Sequence, residues 1–200
     1  MTKPRSALLL ALAVVSSAGA ASAQSIEITS DLAGTQREGE VLPGTNPTLY
    51  ILARPSDAEP EIGGAEFWVD GLPAAWSAIA NPSPSSIAAL GNPFATVPPL
   101  RAQIAFGPCV RPDENGVILL YTVSLAPTTF VNDLCLTVQV AVPPSNSSFT
   151  TPILNISCDP PEDALMAAIG TRFIANPVTR QCTVGVERST WGGVKSLYTE

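Results

Sequence analysis

Glu66, Trp68 and Asp70 alternate with Ala65, Phe67 and Val69. In an extended strand successive side chains point to opposite faces, so this spacing predicts an acidic, aromatic, acidic stripe on one side and an apolar stripe on the other. A tryptophan flanked by carboxylates suits stacking on a sugar ring with hydrogen bonds to its hydroxyls, which makes these three residues the leading ligand-binding candidates. The plainer reading is an ordinary outer sheet face carrying a partly covered tryptophan. The same two carboxylates would also be the candidates for a glycosidase pair. That chemistry needs one acid with a raised pKa and a set separation between the two, and the pattern supplies neither.

Other chemistries find less support. Asp57, Glu59 and Glu61 form one acidic cluster, and Asp159, Glu162 and Asp163 form a second beside Cys158. Calcium is the one ion such oxygen donors would suit, but the regular acidic spacing around a central glycine is missing, so solvated loop charge is the simpler reading. No other metal or cofactor is expected. The chain has no histidine, which leaves a serine nucleophile without its usual base, and Gly-x-Ser-x-Gly does not occur. No glycine-rich phosphate loop follows a predicted strand. The residues therefore point to a non-catalytic protein.

The elements that must position these residues read as strands. Period-two alternation appears in 26–29, 48–53, 65–70, 102–106, 117–125, 134–142, 153–157, 172–175 and 182–187, and short runs of this kind suggest a β-sandwich. Turn chemistry lies between them, including Asn81-Pro82-Ser83-Pro84, Pro143-Pro144 and Pro160-Pro161. Twenty prolines in a chain that is 46% hydrophobic and only 14% charged favour a packed core with stiff loops over disorder. Asp113-Glu114-Asn115-Gly116 is expected to end a hairpin loop, leading into a central strand that is apolar on both faces at its start. Ser85 to Leu90 is expected to form one helical turn.

The two ends differ from this middle. Lys3 and Arg5, the apolar run Ala7 to Val15 and the small residues Ala21-Ser22-Ala23 have the three-part layout of a secretory signal peptide, predicted to be cleaved before Gln24. The apolar run is too short for a permanent anchor, and no later segment is long and apolar enough to span a bilayer. At the other end, a hydroxyl cap at Ser189-Thr190 precedes Trp191, Val194, Leu197 and Tyr198 at helical spacing. A short amphipathic helix is expected over the tail 188–200, either packed on its own domain or docking into a larger assembly. The domain between them is expected to span 24–187.

Four cysteines, at 109, 135, 158 and 182, are an even number in a chain read as exported, so disulfides are the default and the destination is periplasmic or secreted. Of three pairings, the sequential one is preferred: Cys109 with Cys135 and Cys158 with Cys182. Each such loop encloses about 25 residues and would stabilise the fold by roughly 3 to 4 kcal/mol. The formal net charge of −7 becomes about −9 once Lys3 and Arg5 are removed. That balance argues against nucleic acid and anionic lipid as partners, and leaves a protein or polysaccharide at the cell surface.

Gly63-Gly64-Ala65-Glu66-Phe67-Trp68-Val69-Asp70-Gly71-Leu72-Pro73-Ala74-Ala75-Trp76 and the ending Thr190-Trp191-Gly192-Gly193-Val194-Lys195-Ser196-Leu197-Tyr198 resemble exported bacterial β-sandwich proteins of uncharacterised role. The first stretch is also similar to cohesin-like modules, in which a strand carrying Gly-x-x-Phe follows one like Thr48 to Ala53 and precedes a turn and a second aromatic. The resemblance implies a two-sheet antiparallel sandwich, immunoglobulin-like or cohesin-like, and names no partner.

Overall fold

The computed structural model describes residues 24–56, 61–156 and 164–182. The predicted signal segment and the expected tail helix lie outside the described residues. Within them the chain is all β. Its strands are β1 (Ser25–Thr29), β2 (Glu38–Gly39), β3 (Thr48–Arg54), β4 (Ile62–Asp70), β5 (Ser77–Pro82), β6 (Ser86–Gly91), β7 (Ala102–Val110), β8 (Ile118–Ala126), β9 (Leu134–Gln139), β10 (Ile153–Asn155), β11 (Leu165–Ala167), β12 (Ile169–Gly170) and β13 (Arg172–Ala175).

Two sheets stack into a sandwich. The smaller runs β12-β1-β3-β8-β5. The larger is organised around β4, which pairs with β7 along one edge and with β10 and then β9 along the other. Beyond these lie β6 outside β7, β11 outside β10, and β13 and β2 outside β9. All pairings are antiparallel except β1 with β12 and β13 with β2.

Alternation explains the core. Ile26 and Ile28 of β1, Leu49 and Ile51 of β3, and Val123 and Leu125 of β8 meet Phe67 and Val69 of β4, Leu136 and Val138 of β9, and Phe173 of β13. Phe67 and Tyr121 bridge the sheets edge to face, with ring centroids 5.9 Å apart and planes at 78°, a favoured aromatic geometry. Trp76 is buried and donates its indole N–H to the Thr129 carbonyl at 3.0 Å.

Three expectations are corrected. Ser85 to Leu90 is not a helical turn: Ser86–Gly91 is strand β6, an edge strand hydrogen-bonded to β7. Its run of apolar residues has no 3.6-residue periodicity to sustain a helix, and the β7 edge is open to pair with it. Asp113 to Gly116 is not a hairpin. Asp113 does build a turn, accepting the Asn115 and Val117 N–H groups at 2.8 and 3.1 Å, and Gly116 supplies a φ of +74°. However, the flanking strands β7 and β8 belong to different sheets, so the loop is a crossover; β8 lies inside its sheet, between β3 and β5.

The third correction is the sequential disulfide pairing. Cys135 bonds to Cys182, with a Cα–Cα distance of 5.3 Å; Cys109 is also disulfide-bonded, and Cys158 lies outside the described residues. Sequential pairing fails because Cys109 lies beside the Ile62 end of β4 and Cys135 beyond its Asp70 end. They are separated by the length of a nine-residue strand, which at about 3.3 Å per residue far exceeds the reach of a disulfide. Cys182 instead returns to β9 after β13 through turns at Asn176 and Arg180, both at positive φ.

This bridge closes a sequence separation of 47 residues, for which chain entropy gives a stabilisation of roughly 4 kcal/mol. Peptide mapping without reductant should recover the Cys135 peptide joined to the Cys182 peptide. Replacing both residues by alanine should lower the unfolding free energy by roughly that amount in urea titration.

Candidate functional site

β4 presents its predicted stripe on the outer face of the larger sheet, but the three residues have different fates. Glu66 is buried rather than open to solvent. Its Oε1 accepts the Ser145 N–H at 2.8 Å, and its Oε2 accepts from the Gln103 amide, because the loop after β9 folds over it. Trp68 is half-buried and donates its indole N–H to the Ala95 carbonyl at 3.0 Å. Asp70 is exposed, and its Oδ1 accepts the Gly71 N–H at 2.7 Å. The loops covering Glu66 and Trp68 are tied to each other by paired backbone hydrogen bonds between Leu100 and Val142, at 2.8 and 2.9 Å.

Strand register adds residues that sequence reading did not assemble. Trp68 stands opposite Gln139, Asp70 opposite Thr137, and Thr137 opposite Arg172. Directly paired residues share a face, so Asp70, Thr137 and Arg172 form a row across three strands, with Trp68 and Gln139 in the next row. Thr137 and Gln139 alternate with Leu136 and Val138, a pattern that puts the two on one face of the strand. Which side chains they would meet depends on pairings between strands distant in sequence.

The row runs into a groove of about 830 Å³, walled by the segment 34–38, Thr137 of β9, and Thr171, Arg172 and Ile174. Behind its rim lies Glu27, 2% exposed. One oxygen, Oε1, accepts from Ser25 Oγ at 2.8 Å, Arg37 Nη2 at 3.0 Å and Arg54 Nε at 3.3 Å. A buried carboxylate needs such compensation. Gly34 allows the loop to press onto this cluster: its φ is +71°, and an added Cβ would lie 3.0 Å from Arg54 Nη2 and 3.2 Å from Glu27 Oε2.

No protein-family model matches the chain, and no curated protein matches it. Among solved structures it is similar to the cohesin module of a family 33 glycoside hydrolase from Clostridium perfringens ATCC13124, at 12% identity and a TM-score of 0.45, over 78% of this chain and 98% of that one.

Of the remaining sequence candidates, Glu61 is the one among the described residues. Glu61 forms an exposed ion pair with Arg111. Asp57, Glu59, Asp159, Glu162 and Asp163 fall outside the described residues, as do Trp191, Val194, Leu197 and Tyr198. Among the described residues no three His, Cys, Asp or Glu side chains gather as metal ligands, and no helix is long and apolar enough to cross a membrane.

The return segment after β13 is held by Asp133, which sequence reading overlooked. Its carboxylate accepts N–H groups from Val178 at 2.7 Å, Thr179 at 3.0 Å and Arg180 at 3.0 Å, and the Thr179 hydroxyl at 2.8 Å. The Val178 hydrogen bond leads and burial opposes it; with the Thr179 and Arg180 bonds, the pKa is held down at about 2. Beside it, Asn176 clamps the chain just after β2 by accepting the Val41 N–H at 2.7 Å and donating to the Val41 carbonyl at 2.9 Å.

Because the folded pKa lies below the ordinary value of 3.8, the stability Asp133 contributes is complete above about pH 4 and is lost as pH falls toward about 2. Thermal melts across this range should show the native protein losing stability. Asp133→Asn should start from a lower melting temperature at pH 7 and lose less on acidification.

Proposed function

We propose that this is an exported, non-catalytic binding module with a structural or adhesive role, working at the cell surface, in the periplasm or in the medium. Its contact surface is the outer face of the larger sheet, around Trp68, Asp70, Thr137, Gln139 and Arg172. The observation that carries this reading is the registered polar row beside a half-covered tryptophan. Each of its side chains stands on an interior strand or on one flanked by paired strands, so the surface is held before any ligand arrives. Cys135–Cys182 fits an oxidising destination.

The non-catalytic reading is supported by what the candidate carboxylates already do. Both oxygens of Glu66 accept structural hydrogen bonds, and Asp70 turns onto its neighbour's N–H. A glycosidase would instead need both acids aimed at one bond. The ligand class favoured for this face is a polysaccharide, since an aromatic ring edged by hydrogen-bonding groups suits sugar rings. Acrylamide quenching of the native protein against Trp68→Phe should show Trp68 accessible and a bound glycan shielding it, with the variant binding at least about tenfold more weakly, about 1.4 kcal/mol. Unchanged affinity in the variant would remove Trp68 from the contact surface.

A second reading, self-association, is favoured by a different face. Residues 71–100 contain no charged side chain, and within them the edge strands β5 and β6 expose Ile79 at 64%, Ile87 at 71% and Leu90 at 65%. A second copy of this chain is the occupant this edge suits, because like copies repel through their acidic surfaces and the uncharged edge is where that repulsion is weakest. Sedimentation velocity should show a dimer that Leu90→Lys dissociates without lowering the melting temperature. A monomer at all concentrations would discard this reading.

A further inference from the structure

We infer that the groove between segment 34–38, β9 and β13 binds an acidic sugar, a hexuronate unit of a polysaccharide, with Arg37 and Arg172 as its anion-recognising groups. The inference rests on the binding-module reading and specifies its ligand.

Arg37 is the anchor. Its guanidinium is fixed from behind by the buried Glu27 carboxylate at 3.0 Å, while its side chain remains 49% exposed. A guanidinium has five N–H donors in a planar fork, so one held nitrogen leaves others free to face the groove in a set orientation. That is preorganisation for a carboxylate, which arginine grips through paired hydrogen bonds. Glu27 does not cancel this charge alone, because it is shared with Arg54.

Arg172 lies on the opposite wall. Its Nη1 lies 3.3 Å from Cys182 Sγ, and it has no carboxylate partner among the described residues. Glu38 on the rim is already paired with Arg180 at 2.8 Å. Asp31, the other acid of the loop, is turned onto the Thr35 and Gln36 N–H groups, both at 2.9 Å. The charged side chains in the groove's own lining are Arg37, Arg172 and Glu38, two arginines against one carboxylate. A surplus of positive charge therefore gathers in one groove of a chain whose formal net charge is −7.

The rest of the lining selects a sugar over a bare anion. Thr35, Thr137 and Thr171 are among the wall residues; the Thr35 hydroxyl donates to Asp31 and that of Thr171 accepts the Ile28 N–H, which leaves Thr137 the uncommitted hydroxyl to match those of a pyranose ring. A volume of about 830 Å³ is in the range of small-molecule sites, well beyond what one inorganic ion needs. The groove also continues into the row Arg172, Thr137, Asp70, so a longer chain has a path along the outer face toward Trp68.

Isothermal titration of the purified protein with tetragalacturonate, cellotetraose and tetraglutamate tests this. Tetragalacturonate should bind, more weakly as salt is raised, and cellotetraose and tetraglutamate should bind at least about tenfold less tightly. Arg172→Gln should weaken the uronate at least about tenfold; Arg37→Lys, which keeps a cation beside Glu27, should do the same with the melting temperature retained. Equal binding of tetraglutamate, or unchanged uronate affinity in both variants, would overturn the inference. Cellotetraose binding that depends on Trp68 but not on Arg172 would overturn it while leaving the binding-module reading standing. Uronate binding that needs both arginines but not Trp68 would uphold the groove and remove the tryptophan patch. No saccharide binding at all would remove both.

Discussion

A strand hydrogen-bonded along both edges cannot slip by one residue without turning its buried side chains outward, and β4 is held in this way over most of its length. β7 pairs with Ile62 to Phe67 on one side, and the Pro93 carbonyl accepts the Val69 N–H at 2.8 Å beyond it. On the other side β10 is followed by β9. Phe67 and Val69 are therefore committed to the core, where Phe67 meets Tyr121 of the facing sheet. The same commitment leaves Glu66, Trp68 and Asp70 no choice but the outer face.

The outer face inherits its order from this constraint. Glu66 acts as an anchor, since its carboxylate gathers Gln103 of β7 and the Ser145 backbone onto β4. Trp68 receives its half-cover from the loop that reaches Ala95, and the Leu100 to Val142 pairing joins that loop to the one over Glu66. Further out, β9 and β13 carry the polar row to the groove. The far wall of that groove is stiffened by Glu27 with its two arginines, and the chain's return from β13 is pinned by Asp133, Asn176 and the Cys135–Cys182 bridge.

Much of the β architecture was legible because it is local. Alternation in 48–53, 65–70, 102–106 and the first six residues of 134–142 marked real strands and their inward faces. β5 and β6 were missed because an uncharged stretch with small and apolar residues on both sides carries no alternation; their strand character comes from the β8 and β7 edges they complete. The disulfide pairing and the crossover after β7 were misread for one reason: both depend on which strands are neighbours, and neighbours here are distant in sequence. The same holds for the site. Glu66, Trp68 and Asp70 share one strand and could be seen together, whereas Arg37, Thr137 and Arg172 come together only through the pairing of β9 with β13 and the loop before β2.

Amide hydrogen exchange, read by NMR on the native protein, tests the central place of β4 most directly. If β4 is the strand on which the sandwich depends, the amides of Phe67 and Val69 should be among the slowest and exchange only through global unfolding, with protection equal to the full unfolding free energy. Amides of the edge strand β6 should exchange far sooner through local opening. Exchange of Phe67 and Val69 at the rate of β6 would contradict the account, because the outer face would then rest on a strand that opens by itself.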